Sequence, residues 1–360
     1  MLSLFYNKKL EAFGLDISEA SIKVMQLEPS KNGFLPYAFS EVPLAAKVMN
    51  NHIIINELKL SQNILAAVEA AKKITTKRVV VSVPEAKSFV RVVEIPQMPA
   101  GEVTAALPWE MEQDIPVPVD QVYLDWQFIK NIGDKMQILV MAASKEYVDP
   151  LINSLKLAKL IPIAIELDSQ SMSRALIGKE ESKKAVLILD IATTQSTFII
   201  VENGNIQYTS SIPIAGNAFT ESIARSLGVP AVDAEKIKRE RGLTTEARRG
   251  STREAILPLL DNIIDEIKNV SRFYEDHSEL HRPIEQVILC GGSSRMTGIS
   301  DYITARLGLG STHGLNVGLG DPFVNLMADQ KTAKKSIFAK TDPLAFTTVI
   351  GLALRDIESK

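Results

Sequence analysis

The chain has 360 residues, of which 46% are hydrophobic and 23% charged, a mixture typical of globular proteins. This length predicts two or more packed units rather than one simple core. The net charge of -3 and the lack of a long basic run argue against a nucleic-acid partner held through its phosphates. The single cysteine suits a reducing cytoplasm, and the four histidines lack metal-ligand spacing. No apolar run reaches the roughly 20 residues that a membrane-spanning helix needs.

The beginning of the chain contains a pattern that recurs in its second half. Residues 13–44 read FGLDISEASIKVMQLEPSKNGFLPYAFSEVPL, and residues 187–214 read LILDIATTQSTFIIVENGNIQYTSSIPI. Each copy has Asp-Ile after apolar residues, then small polar residues, a β-rich run and an Asn-Gly pair, which predicts a hairpin. Asp16 and Asp190 therefore occupy equivalent positions in two copies of one unit.

The segments that follow the two hairpins also correspond, because each copy continues with a helical pattern and then a buried strand. LSQNILAAVEAAKKI precedes RVVVSVP in the first half, and AILPLLDNIIDEIKNVSRFYEDH precedes QVILCGGSS in the second. This order predicts two α/β domains related by duplication. The predicted parts are residues 1–83 and 165–185 for the first domain, 84–164 for an inserted subdomain, 186–230 and 285–330 for the second domain, 231–284 for its helical insertion, and 331–360 for a return to the first domain.

Two aspartates at the tips of facing hairpins suit one task, which is to hold a hydrated Mg²⁺ that bridges nucleotide phosphates between the domains. For either aspartate alone, a role in a turn or cap is the ordinary explanation, and the duplication favours the metal. Backbone N–H groups of the turns are expected to bind phosphate oxygens, and Lys23 can reach a phosphate as a point charge. The turn candidates are Ser18, Ser21, Ala192, Thr193 and Thr194.

Three further positions have both a plain and a functional explanation. A glycine-rich turn after a strand predicts a nucleotide contact by Gly291, Gly292, Ser293 and Ser294. Glu235 and Lys238 lie three residues apart on a predicted helix, where a solvated ion pair or a ribose and adenine contact would fit. Asp168 could orient a water molecule toward a γ-phosphate or cap the helix that follows it, and the residues alone do not separate the two.

Taken together, these motifs resemble those of the actin/Hsp70-like ATPase superfamily, and essentially the whole chain is similar to the PilM family of type IV pilus assembly proteins. GLDISEASIK is similar to the first phosphate motif, LDIATTQST to the second and CGGSSRMTGI to the adenosine motif. AEKIK matches an element of the adenosine helix, which favours a nucleotide role for Glu235 and Lys238. LPWEMEQDIPVPVDQVYLDW resembles the inserted subdomain of this family, placed as in FtsA, and DPLAFTTVIGLALRDIE resembles its closing helix.

The resemblance implies a duplicated ribonuclease H-like, actin-like fold of two α/β domains, with an interdomain nucleotide cleft and an inserted FtsA-like subdomain. It implies ATP and Mg²⁺ as ligands, and Asp168 and Asp190 as the candidate catalytic residues. The sequence departs from the family pattern at Ser18 and Ala192, where glycine is usual. A Cβ atom there restricts positive φ, so we expect at most slow hydrolysis.

The resemblance also implies a partner, because the PilM family binds the N-terminal cytoplasmic peptide of the membrane protein PilN. We therefore expect a cytoplasmic scaffold, peripheral to the inner membrane through its partners, that links the pilus assembly complex to the motor ATPases and can self-associate. The apolar and proline-rich residues from Val83 to Trp109 are expected either to line the peptide groove or to pack the core of the inserted subdomain.

Two alternatives remain on the same fold. A sugar-kinase-like phosphotransferase would need a polar sugar pocket and a catalytic aspartate, for which Asp168 is the one candidate. An FtsA-like division protein would usually carry a basic amphipathic tail after a linker, whereas this sequence ends with RDIESK after the predicted closing helix.

Overall fold

The computed structural model describes residues 12–30, 33–112, 115–244, 251–278, 282–308, 315–326 and 342–358. Asn32 of the first predicted turn and residues 331–341 of the predicted return segment lie outside these ranges. The strands are β1 (Phe13–Ile17), β2 (Ser21–Ser30), β3 (Gly33–Pro43), β4 (Met49–Asn50), β5 (Ile53–Ile54), β6 (Arg78–Val83), β7 (Ser88–Pro96), β8 (Val122–Ile132), β9 (Lys135–Ser144), β10 (Ile161–Leu167), β11 (Ala185–Ile191), β12 (Ser196–Glu202), β13 (Asn205–Ile212), β14 (Gln286–Cys290) and β15 (Asn316–Leu319). The helices are α1 (Glu57–Ala70), α2 (Ala100–Glu110), α3 (Lys145–Leu157), α4 (Asp168–Leu176), α5 (Gly216–Leu227), α6 (Ala231–Arg241), α7 (Thr252–His277), α8 (Ile299–Gly308) and α9 (Thr347–Glu358).

The first sheet has the strand order β10-β6-β1-β2-β3. Strands β1, β2 and β3 form an antiparallel meander, while β6 and β10 run parallel to β1. Every residue of β1 is buried, as expected for a strand in the middle of a sheet with both faces covered. The carboxyl ends of β1, β6 and β10 therefore lie at one edge of the sheet.

The second sheet repeats this arrangement, which confirms the predicted duplication. Its order β15-β14-β11-β12-β13 places antiparallel β11, β12 and β13 beside parallel β14 and β15. The predicted Asn-Gly turn joins β12 to β13, with φ of 51° at Asn203 and 74° at Gly204. Two positive φ angles are what a two-residue hairpin turn of this kind requires.

The chain segment between the two halves adds an antiparallel sheet of β7, β9 and β8, which joins the second sheet where Arg91 of β7 pairs with Tyr208 of β13. The buried apolar side chains that form its own core lie between Ile95 and Ala142 in the sequence, and α2 contributes Val103 and Leu107 to that core. Helix α3 packs on α1 instead, and its Tyr147 and neighbouring apolar side chains belong to the core of the first domain. The predicted subdomain limits of 84–164 stay a prediction, with α3 contributing to the first core.

Helix α9 closes the first domain by packing against α4 and β1. The helices approach so closely that a Cβ atom on Gly351 would collide with the carbonyl oxygen of Ser171. A buried carboxylate holds the junction together, since Glu166 of β10 accepts two hydrogen bonds from Arg174 at 2.7 and 2.9 Å and one from Arg355 at 3.3 Å. Among the described residues, no helix combines the length and apolar character that crossing a membrane requires.

Candidate functional site

The two aspartates of the repeated pattern lie at matching positions, each one residue before the end of its strand. Asp16 in β1 is 9% exposed, and Asp190 in β11 is partly buried. Burial and the negative charge of Asp16 together raise the pKa of Asp190 to about 6, although Lys23 and Cys290 oppose the effect. The charge of Asp16 therefore acts on Asp190 across the two domains.

Lys23 lies beside Asp16 on the neighbouring strand, with Nζ 3.5 Å from Oδ2 of the aspartate. The ammonium is also 3.8 Å from Oε1 of Glu41, which accepts a 2.9 Å hydrogen bond from the hydroxyl of Ser21. Burial raises the pKa of Asp16, and the adjacent ammonium lowers it in part. Glu41 was absent from the sequence-based candidates, although its position opposite Lys23 follows from the register of the β2–β3 hairpin.

The first turn is closed by Ser18. Its backbone N–H and its hydroxyl each lie 3.0 Å from the carbonyl oxygen of Ser21, and its Oγ accepts a hydrogen bond from the Ser21 N–H at 3.1 Å. In the second turn, the N–H of Ala192 donates to the carbonyl of Gln195 at 3.2 Å. Neither Ser18 nor Ala192 takes a positive φ, so both turns accommodate a Cβ atom without backbone strain.

The second turn is joined to the glycine-rich turn and to the start of α5. The N–H of Ser293 donates to the carbonyl of Ile191 at 3.1 Å, and the N–H of Asn217 donates to the carbonyl of Thr193 at 2.8 Å. Gly291 has a φ of +83°, and a Cβ atom there would collide with Oδ1 of Asp190, so only glycine fits beside this carboxylate. The second turn, Gly291–Ser294 and the beginning of α5 thus form one connected backbone surface.

The two remaining residues of the glycine-rich turn differ in environment. Gly292 is exposed, and a Cβ atom built on it meets no atom within 4 Å. Ser294 is buried, with its hydroxyl donating to the carbonyl of Gly291 at 2.7 Å. Gly292 is therefore open to a ligand, whereas the side chain of Ser294 stabilises the turn from within. Thr194 of the second turn is partly buried.

Glu235 and Lys238 form the predicted i,i+3 ion pair on α6, with an Nζ to Oε2 distance of 2.6 Å. Lys238 is only 6% exposed and also donates to the carbonyl of Gly216 and to the hydroxyl of Thr220, both at 2.9 Å. Burial raises the pKa of Glu235, but hydrogen bonds from Lys238, Thr220 and Arg239 outweigh it and lower that pKa to about 2. The pair therefore ties α6 to the start of α5, beside the second turn.

Asp168 is the first residue of α4, and Leu167 occupies the capping position, so the helix-cap alternative for Asp168 is wrong. Burial and the charge of Asp16 raise the pKa of Asp168 well above its usual value, with further contributions from Glu85 and Asp190. Asp168 thus shares an acidic environment with the two repeated aspartates. Glu85, itself 7% exposed, was not among the sequence candidates because its burial depends on contacts distant in sequence.

The thiol of Cys290 is the remaining group at Asp190, with Sγ 3.8 Å from Oδ1. Burial and the charge of Asp190 raise the pKa of the thiol well above its usual value, so Cys290 stays a neutral donor. Among the described residues, no group of three His, Cys, Asp or Glu side chains is arranged to hold a metal ion directly.

The predicted partner-groove segment contains both buried and exposed positions. Val83, Val90, Val103 and Leu107 are buried in hydrophobic cores, whereas Trp109 is 79% exposed. Its buried members pack in cores, its exposed members face outward, and both sequence-based explanations of the segment stay predictions.

An exposed aromatic side chain also occurs on β8, where Tyr123 is 47% exposed. Phe128, which is 48% exposed, pairs with Ile138 and lies on the opposite face of the strand. Tyr123 contacts α3, since its hydroxyl donates to Asp149 at 2.8 Å and the ammonium of Lys145 lies 5.2 Å from its ring centroid. This surface between β8 and α3, which we call the β8–α3 groove, was missed because no local pattern indicates that α3 lies beside β8.

The duplicated α/β fold, with an aspartate-bearing turn in each half, places the protein among those with the actin-like ATPase fold. The chain matches the family model described as "Type IV pilus assembly protein PilM" over residues 14–357, and it belongs to this family. The sequence-based assignments of fold and family are both confirmed.

Solved structures agree with this assignment. The structure titled "PilM-PilN type IV pilus biogenesis complex" is 25% identical, with a TM-score of 0.82 over 97% of this chain and 99% of that chain. MreB5 of Spiroplasma citri bound to AMPPNP is 13% identical, with a TM-score of 0.52 over 90% of this chain and 95% of that chain, and shows the fold alone.

Curated relatives include cell division proteins FtsA. The Bacillus subtilis protein is 25% identical over 149 residues, which are 37% of this chain and 34% of the relative. The Borreliella burgdorferi protein is 25% identical over 212 residues, which are 50% of this chain and 51% of the relative. The chain thus spans between a third and a half of the length of these two relatives.

Proposed function

We propose that this PilM-family protein is an ATP-binding scaffold of type IV pilus assembly, with Mg-ATP bound in the cleft between its two domains. The observation that carries the proposal is that Asp16 and Asp190 occupy matching positions in the two copies, with the charge of Asp16 raising the pKa of Asp190. Nucleotide bound to both domains stabilises the closed form, because a ligand favours the state to which it binds.

The acidic environment supports a cation in this cleft. Asp16, Asp168 and Asp190 all have raised pKa values, caused first by burial and then by one another's charges or those of nearby carboxylates. In the proposal, Mg²⁺ lies near Asp16 and Asp190 and is bound chiefly through water. Its positive charge favours the ionised forms of both aspartates, and the ion bridges the nucleotide phosphates. The residues present therefore fit the predicted metal.

The remaining candidates have separate tasks in the proposal. Lys23 and the turn from Ser18 to Ser21 bind phosphate oxygens from the first domain, and the turn from Ala192 to Thr194 binds them from the second. The N–H groups of Ser18, Ser21 and Ala192 donate within their own turns, so the proposed phosphate donors are the N–H groups of the residues between and after them. Gly291 and Gly292, with Ser293 and Ser294, support the adenosine together with Glu235 and Lys238 on α6. The connected backbone of the second turn, the glycine-rich turn and α5 supports this division.

Hydrolysis is proposed to be slow. Asp168 is the candidate for orienting a water molecule, but burial and the charge of Asp16 raise its pKa well above the usual value. A carboxyl group whose ionised form is disfavoured is less available as a general base, which supports slow hydrolysis.

The proposed partner is the N-terminal cytoplasmic peptide of PilN, and we assign it to the β8–α3 groove. The exposed ring of Tyr123 offers an apolar contact, while Lys145 and Asp149 offer one charge of each sign to an extended peptide. Through PilN the protein becomes peripheral to the inner membrane. Contacts with the motor ATPases and self-association complete the proposed scaffold.

Thermal unfolding tests the nucleotide part. A ligand at 100 times its Kd adds about 2.7 kcal/mol to stability, so saturating Mg-ATP should raise the Tm of the wild type by several degrees. Asp190→Ala should abolish that shift. An unshifted wild type would overturn the nucleotide proposal, and rapid phosphate release seen only with a sugar would favour the phosphotransferase instead.

Peptide binding tests the partner part. A synthetic PilN N-terminal peptide should bind the full chain at micromolar concentration, and Tyr123→Ala should weaken that binding. Lys268→Ala on α7, where the side chain is 47% exposed, serves as a control remote from β8. Lack of binding to the wild type would overturn the partner assignment.

A further inference from the structure

Helices α1 and α3 pack on each other and end at the same edge of the first sheet. The chain runs from α1 into β6 and from α3 into β10, and these parallel strands begin side by side, with Arg78 paired with Ile161. The N–H of Ile161 donates to the carbonyl of Lys77 at 2.8 Å, so the two connections lie against each other. Because the other ends of β6 and β10 lead to Glu85 and Asp168, this edge lies opposite the acidic site.

The two connections and the strands that follow them carry only positive charge. Residues 70–84 and 150–165 contain no acidic residue, although the whole chain has 43 acidic and 40 basic residues. Their basic residues are Lys72, Lys73, Lys77, Arg78, Lys156 and Lys159. All five lysines are exposed, and within the described ranges none of them is paired with a carboxylate. The positive charge is therefore local and available to a partner.

Acidic groups lie only at the margin of this surface in the described parts of these elements. Glu69 is in the last turn of α1. Glu28 follows Gln26 of β2 by two residues, and the side-chain oxygen of Gln26 accepts a 2.9 Å hydrogen bond from the N–H of Thr75 in the first connection. Two marginal carboxylates leave the six basic residues in clear excess.

A lysine takes the left-handed conformation just beyond the end of each helix. The φ angle is 59° at Lys72 and 57° at Lys159, where glycine or asparagine is usual. A lysine near a helix C-terminus complements the helix dipole, which accounts for part of this charge. The dipole does not account for Lys77, which lies in the connection beyond α1, or for the apolar side chains exposed beside the lysines.

Two large aliphatic side chains are exposed among these lysines. Leu157 at the end of α3 is 50% exposed, and Ile161 at the start of β10 is 54% exposed. Single exposed apolar residues are ordinary, but aliphatic groups bordered by lysines have the composition of surfaces that bind anionic lipids. We call this surface the basic face, which consists of Lys72, Lys73, Lys77, Lys156, Leu157, Lys159 and Ile161.

The same edge is poorly suited to pairing with another protein strand. β10 is the edge strand of the first sheet, but Pro162 lacks an N–H group and the register shifts between Pro162 and Ala164. Both features interrupt an edge that a further strand would need. A second copy of the chain, docked through the same face, would also place lysines against lysines. An anionic lipid surface meets neither obstacle.

We propose that the basic face docks on an anionic lipid surface, with its lysine ammonium groups at the phosphate headgroups and with Leu157 and Ile161 entering the boundary of the acyl chains. This contact goes beyond the proposed function, in which PilN brings the protein to the membrane, and it needs neither nucleotide nor peptide. Because the basic face and the acidic site lie at opposite ends of the same strands, docking leaves the candidate nucleotide site facing away from the lipid.

Sedimentation with lipid vesicles tests the docking, with the full chain and without nucleotide or peptide. Vesicles of phosphatidylcholine alone are compared with vesicles that contain about 30% phosphatidylglycerol, at about 0.05 M and about 0.5 M salt. The wild type should bind the anionic vesicles at low salt, bind them less at high salt, and leave phosphatidylcholine unbound. Absence of binding to the anionic vesicles at low salt, or equal binding to both compositions, would overturn the proposal.

Charge reversal at one lysine of each connection tests the location. A lysine near an anionic surface contributes about fivefold in affinity, so Lys77→Glu combined with Lys156→Glu should lower vesicle binding at least about twentyfold. Lys236→Glu combined with Lys268→Glu, at exposed positions on α6 and α7, makes the same change in net charge and should stay within about twofold of the wild type. Equal effects of the two double variants would overturn the assignment to the basic face.

Ile161→Thr tests the aliphatic contact, because it keeps a β-branched side chain and leaves the charge unchanged. It should weaken binding to the anionic vesicles severalfold, whereas Val232→Thr, at an exposed position on α6, should not. Unchanged binding by Ile161→Thr would overturn the insertion of this side chain. If the wild type instead forms a dimer that Ile161→Thr abolishes, and binds no vesicles, the face belongs to a second copy and the lipid proposal is overturned.

Discussion

Asp16 pairs with Lys23 across its hairpin at 3.5 Å, whereas the equivalent neighbour of Asp190 is the uncharged Thr197. The two copies of the duplicated unit therefore differ in charge, because the aspartate has a cation opposite it on the neighbouring strand in the first domain but not in the second. Around Asp190, the thiol of Cys290 and the bare backbone of Gly291 take the place of that cation. This asymmetry makes Asp190 the aspartate that most needs a positively charged ligand.

The first prediction concerns the pH dependence of nucleotide affinity. Burial and the charge of Asp16 raise the pKa of Asp190 to about 6, above about 3.9 for a free aspartate. Because Mg²⁺ favours the ionised carboxylate, affinity for Mg-ATP should rise by up to about tenfold between pH 5 and 7 through this group, and then level off.

The nucleotide phosphates titrate in the same pH range. The relevant quantity is therefore the slope of Mg-ATP affinity against pH, compared between the wild type and Asp190→Asn. Titration with a fluorescent ATP analogue at pH 5, 6 and 7 measures it. The variant should bind more weakly at pH 7 and depend less on pH. Equal slopes for both proteins would contradict the assignment.

The second prediction compares two adjacent glycines. Gly291→Ala places a Cβ atom against Asp190 at a φ of +83°, so we expect a loss of about 1–3 kcal/mol in unfolding free energy together with loss of Mg-ATP binding. Gly292→Ala adds a Cβ atom in open space and should leave stability unchanged while lowering nucleotide affinity. Urea unfolding and ATP titration measure the two effects, and a strongly destabilised Gly292→Ala would argue against this geometry.

The third prediction concerns Lys238. Lys238→Met removes a buried ammonium that bonds Glu235, Gly216 and Thr220, and these groups lose their shared donor. Stability should fall by about 1–3 kcal/mol, and ATP affinity should fall with it. Lys236→Met on the same helix, where the side chain is 75% exposed, is the control and should change stability by less than about 0.5 kcal/mol. Similar effects of both substitutions would contradict the role assigned to the buried pair.

The fourth prediction concerns the junction of β10, α4 and α9. Glu166→Gln keeps the shape of the side chain but removes the charge that Arg174 and Arg355 share, and its side chain is only 2% exposed. Breaking a buried ion pair costs about 3–5 kcal/mol, so the variant should unfold at markedly lower denaturant concentration. Glu180→Gln, at an 80% exposed position beside Lys183, should be nearly neutral. A neutral Glu166→Gln would show that the charge of Glu166 does not hold α9 in place.

The sequence by itself determined the duplication, the matching positions of Asp16 and Asp190, and the family. These features are local, because alternating apolar residues, an Asn-Gly turn and a glycine pair after a strand each act within a few neighbouring residues. Even the contact between Lys23 and Glu41 could be derived from the hairpin register. The i,i+3 pair of Glu235 and Lys238 follows in the same way from helical spacing.

Only the tertiary structure decided which distant segments meet. It placed α3 in the core of the first domain, brought Tyr123 of β8 onto its outer face and closed the Glu166 network with Arg355 from the last helix. It also buried Glu85, whose charge contributes to the raised pKa of Asp168. No local pattern encodes these contacts, because each depends on how whole sheets and helices pack, and that packing sets the burial from which the raised pKa values of the site arise.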